Sequence, residues 1–68
     1  MPRPPRWNAA DAESALLKAG FVRVRSKGSH RIYQRDTQRA VVPFHGNRVL
    51  HPKIVKQILD LIEEGPTN

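Results

Sequence analysis

The sequence predicts an α+β domain: a two-layer α-β-β-β-α sandwich whose three-stranded antiparallel sheet carries two helices on one face. Three observations lead there. An early stretch repeats small apolar residues at helical spacing, the middle alternates with a period of two, and a late stretch carries a broad apolar stripe. A chain of 68 residues holds one domain with a small core. The expected division is a flexible basic leader over 1–7, a single domain over 8–65 and a tail over 66–68.

Asn8 is placed to cap the first helix, with Asp11 three positions on. Ala9, Ala12, Leu16 and Ala19 recur on one side, which predicts a helix over about 9–19 that can lie close against a sheet. Gly20 suits the left-handed position after the last turn, and Phe21 supplies the hydrophobic contact that follows it. Trp7, just before the helix, is expected to anchor the leader.

From Phe21 to Arg25 the alternation predicts a half-buried strand, with Val22 and Val24 on one side and Arg23 and Arg25 on the other. Lys27-Gly28 marks a turn. Residues 29–35 then read as a second strand, with His30, Ile32 and Gln34 on one side and Arg31, Tyr33 and Arg35 on the other. Ile32 is expected to face the helices, which would turn His30 the same way unless strand-end twist or a bulge frees it. Asp36-Thr37-Gln38 reverses the chain into a third strand over 39–44. Pro43 sits near its end, where a missing amide is tolerated.

His45-Gly46-Asn47-Arg48 is a loop, and Pro52 suits the first position of a second helix. Ile54, Val55, Ile58, Leu59, Leu61 and Ile62 give that helix its apolar face and make it the expected main core donor, with Gly65-Pro66 as its stop. Lys53 and Lys56 near its start and Asp60, Glu63 and Glu64 near its end oppose the helix dipole, each at about 0.3–1 kcal/mol unscreened. A bound partner, or screening by salt, would offset that cost.

Twelve Lys and Arg against six Asp and Glu leave a net charge of +6. The excess lies between residues 23 and 48, where Arg23, Arg25, Lys27, Arg31, Arg35, Arg39 and Arg48 face Asp36 alone. A basic region of this kind points to a polyanion, with nucleic acid as the leading class, although a soluble basic surface would also account for it. The chain has no cysteine, which excludes a disulfide framework, a Cys-ligated zinc site and a thiol nucleophile. No apolar run is long enough to span a membrane, and the leader lacks the apolar core of a secretory signal. A cytoplasmic protein without a membrane partner is expected.

Lys27-Gly-Ser-His30 falls inside the basic region. Glycine permits a tight turn, and a histidine beside cations suits proton transfer at a phosphate. Without further context it also reads as a turn that contains a histidine. Ser29 and His30 are neighbours on a strand and point to opposite faces, so they form no nucleophilic dyad. His45 reads either as a second proton carrier or as a residue that flanks the helix and orients substrate, and His51 reads as structural. The three histidines lack the close spacing of a local metal site and no carboxylate cluster joins them, so no metal is expected. Tyr33 can stack on a base or ribose, or pack across strands.

Taken together, Leu16-Leu-Lys-Ala-Gly-Phe21, Lys27-Gly-Ser-His30 with Ile32 after it, Val42-Pro43 followed by His45, and Ile54 with Ile58-Leu59 resemble the HicA toxins, small RNA-cleaving members of bacterial toxin-antitoxin pairs. The resemblance runs from Leu16 to Leu59, with His51-Pro52 standing where members often have Gly-Thr. It implies a fold similar to a double-stranded-RNA-binding domain, endoribonuclease action on mRNA (an mRNA interferase) without a cofactor, and a HicB-type antitoxin as partner. It also makes His30 the expected catalytic residue. Lys27, Gly28, Ser29, Arg25, Arg31, Tyr33 and His45 are then expected to hold phosphate or RNA. Histidine fits because a base can take the proton of a 2′-hydroxyl, which attacks its own phosphate and leaves a cyclic phosphate; an imidazole titrating near pH ~6.5 serves at neutral pH. A non-catalytic RNA-binding module of the same fold is the alternative, and a transcriptional or assembly subunit a third.

Overall fold

In the computed structural model, which describes residues 4–65, Asn8 opens helix α1 (Ala9–Lys18) with a capping box. Its side chain accepts from the Asp11 amide at 2.9 Å, and its own amide donates to the Asp11 carboxylate at 3.1 Å. Residues 1–3 of the leader and the tail 66–68, with Pro66 of the expected helix stop, lie outside the described residues. At the other end of α1 the Gly20 amide donates to the Leu17 carbonyl and the Phe21 amide to the Leu16 carbonyl. Gly20 itself stands at φ +98°. This paired closure needs a left-handed residue, which is why glycine ends the helix here.

Strands β1 (Val22–Lys27), β2 (His30–Arg35) and β3 (Gln38–Pro43) form an antiparallel sheet in the order β1-β2-β3. Helix α2 (Pro52–Glu64) completes the α-β-β-β-α order. The two helices pack on each other and chiefly over β3. Ala9, Ala12 and Leu16 of α1, Phe21, Tyr33, Ala40, Val42, Leu50, and Val55 and Ile58 of α2 form the core between the layers. The alanines bring α1 close to the sheet. Helix α2 contributes less than its stripe suggests, because Ile54, Leu59, Leu61 and Ile62 stay half-buried at the margin.

Two expectations about the sheet are corrected. Strand β1 is exposed along its whole length, Val22 and Val24 included, because the helices are centred on the opposite edge. Ile32 does not face the helices. Tyr33 pairs with Ala40 and Arg31 with Val42 on the covered face, while Ile32 pairs with Val41 and His30 with Pro43 on the open one. The covered position goes to Tyr33 because its ring fills the core and its hydroxyl donates to Glu13 on α1. The flanking Arg31 and Arg35 reach oxygen acceptors at the margin. Ile32 is nevertheless buried, set between Arg25 and Val41 within the open face.

Candidate functional site

Gly28 and Ser29 make the two-residue turn between β1 and β2, with Gly28 at φ +59°. Lys27 and His30 face each other across that turn as cross-strand partners, so their side chains share the open face. A β-bulge makes this possible. Arg23 pairs with Tyr33 but Arg25, two residues on, pairs with the next position, Ile32, leaving Val24 as the extra residue. Strict alternation from Arg23 would turn Arg25 and Lys27 towards the helices. The bulge instead puts both cations on the face that carries His30, and nothing in the regular Val-Arg-Val-Arg pattern announces it.

The segment after β3 comes back to the same turn. The Phe44 amide donates to the Ser29 carbonyl at 2.6 Å, and the His45 ring stands 6.3 Å from the His30 ring, edge on at 86°. Behind this pair the Arg31 guanidinium lies 3.9 Å over the Phe44 ring and donates to Glu13 at 3.2 Å. Tyr33 donates its hydroxyl to the same Glu13 oxygen. Those bonds, Tyr33 first and Arg31 next, hold the Glu13 carboxyl below the usual carboxylate range against the opposing effect of burial. Burial, then the Glu13 carboxylate, pushes the Tyr33 phenol above its ordinary value.

The structure thus brings Lys27, His30 and His45 together, with Gly28 and Ser29 forming the turn between them and Arg25 on the same face. It separates Arg31 and Tyr33 from that group. The Tyr33 ring is fully buried and presents no face to a base, and Arg31 is engaged by Glu13 and Phe44. Glu13 and Phe44, which fasten α1 and the His45 segment to β2, carry no sequence signal; only the tertiary fold joins them. His51 is the N-cap of α2, its Nδ1 accepting from the Lys53 amide at 3.1 Å. His45 also borders an open cleft of about 440 Å³, which His51 lines as well. Among the described residues no three His, Cys, Asp or Glu side chains converge as a metal site would need, and no helix is long and apolar enough to cross a membrane.

The family model described as the HicA toxin of bacterial toxin-antitoxin matches residues 9–63, from the start of α1 almost to the end of α2. The chain belongs to the HicA toxin family. It is accordingly the toxin of a toxin-antitoxin pair, with a cognate antitoxin as its counterpart. No curated protein matches it. The family match covers every element that builds the site, and the HicA domain includes the turn, the His45 segment and the cap of α2.

Proposed function

We propose that this HicA-family toxin is an endoribonuclease that cleaves mRNA in the cytoplasm without a metal, with His30 as proton carrier. The observation that carries the reading is the meeting of His30, Lys27 and His45 at one exposed turn. His30, in its neutral form, takes the proton of a ribose 2′-hydroxyl. The 2′-oxygen attacks the adjacent phosphorus, the bond to the 5′-oxygen breaks, and the strand is left with a 2′,3′-cyclic phosphate. His45, as imidazolium, returns a proton to the departing 5′-oxygen, so charge and protons balance. Lys27 and Arg25 on the open face, with backbone donors of the Gly28-Ser29 turn, offset the negative charge that builds on the phosphorane. A HicB-type antitoxin is the proposed partner, covering this face.

Single-stranded RNA incubated with the protein in excess chelator tests the reading. Cleavage to cyclic-phosphate ends is expected, and His30→Ala should slow it by about 10²–10⁴-fold. Undiminished cleavage by His30→Ala would remove His30 from the mechanism. RNA binding with no cleavage by the intact protein would favour a non-catalytic RNA-binding module.

A further inference from the structure

We infer that the cleft bordered by His45 is a nucleotide subsite: it takes one ribonucleotide of the RNA strand, the base against Val49 and Ile54 and the phosphate against Arg48 and His51. The inference rests on the reading of this chain as a protein that acts on RNA. Its volume of about 440 Å³ falls within the ~300–1,000 Å³ typical of small-ligand sites, room for a single nucleotide unit. The wall divides by chemistry. Pro43, Val49 and Ile54 make an apolar side, His45, Arg48 and His51 bring donors, and among the described residues no acid lines it.

Val49 and His51 are held in place by bonds made elsewhere. Val49 leaves 51% of its surface exposed, although its backbone bridges to Asn8 and the next amide, Leu50, donates to the Trp7 carbonyl at 2.7 Å. An exposed apolar side chain on a pinned backbone is a platform on which a base can lie. His51 accepts the Lys53 amide on Nδ1, which places its proton on Nε2 and leaves that atom a donor. Arg48 forms no ion pair with a carboxylate among the described residues, so its guanidinium is open to an anion. His45 belongs both to the cleft and to the His30 pair, which makes the subsite continuous with the reacting phosphate.

The test uses Arg48→Gln and Val49→Asp, both at exposed positions, with a thermal melt to verify folding. For RNA cleavage, KM should rise about tenfold in each with kcat little changed, as expected when binding common to ground and transition states is removed. Arg48→Gln should also flatten the salt dependence of binding by about 0.7 in log-log slope. In parallel, the His30→Ala protein is titrated with a 2′-O-methyl trinucleotide, and amide shifts are expected at Arg48, Val49 and Ile54. Unchanged KM in both variants, with shifts confined to the Lys27 to His45 region, overturns the subsite while leaving the cleavage reading intact. If the variants lose only antitoxin affinity, the cleft is a protein contact and the inference fails. If the intact protein cleaves no RNA, the titration decides alone: shifts in the cleft support the subsite and their absence overturns it.

Discussion

At the scale of single residues, Glu13 connects more of the molecule than any other acid. Its carboxylate receives the Tyr33 hydroxyl and the Arg31 guanidinium, and Arg31 in turn covers the ring that precedes His45. Because the folded state holds the Glu13 carboxyl below its unfolded value, its contribution to stability is complete above the unfolded pKa of ~4.3 and is lost as pH falls through the folded value. Tyr33 has the opposite sense. Its raised phenol contributes fully below pH ~10 and the contribution fades as pH climbs through the folded value. Melting temperatures followed by circular dichroism should therefore fall on acidification below about pH 4, and less steeply in Glu13→Gln. At neutral pH that variant should already be less stable, since it exchanges charge-assisted bonds for neutral ones. None of this is legible in the sequence. Glu13 there is one acid on a helix, and Tyr33 is one aromatic among arginines.

At the scale of elements, Arg35 settles how α2 tolerates its charges. That helix has no basic residue in its last turn, and its C-terminal end would repel its own Glu63 and Glu64. From β2, the Arg35 guanidinium donates to the Leu61 carbonyl at 3.1 Å, and its other arms reach the Ala19 carbonyl at the end of α1 and the Gln38 side chain. Gln38, itself buried, donates to Leu61 and to Glu64. One cation thus meets the negative ends of both helices and lies 4.5 Å over Phe21. Lysine cannot reproduce that fork, so Arg35→Lys should cost about 2 kcal/mol, lowering the melting temperature by roughly 8–16 °C in a domain this small. A shift of only a degree or two would mean that the guanidinium is replaceable. Helix ends are legible because their signals are local: Asn8 with Asp11, Gly20 with Phe21, and Pro52 each act within a few residues. The facing of β2 is not, because alternation names two sides without saying which is covered. Acceptors on α1 and α2, far away in sequence, make that choice.

At the scale of the whole molecule, the basic region has two populations. Arg31 and Arg35 are taken up by Glu13 and by helix carbonyls, while Arg23, Arg25, Lys27, Arg39 and Arg48 stay exposed. RNA should therefore meet five cations of this region rather than seven. The log-log dependence of single-strand affinity on salt should have a slope of about −3.5, against about −5 if all seven took part; electrophoretic or fluorescence titrations across salt concentrations would separate the two. The sequence shows the excess of charge but not its division, since pairing across the layers exists only in the folded chain. The closeness of His30 and His45 is likewise a product of the return of the chain after β3. The bulge at Val24 has a further effect at this scale. Strand β1 is an exposed sheet edge with two valines in solvent, the kind of edge on which another chain can lay down a strand. An extra residue breaks its ladder halfway, and Arg23, Arg25 and Lys27 crowd it with like charge. The residue that turns Lys27 onto the open face thereby also makes the edge a poor template for self-assembly.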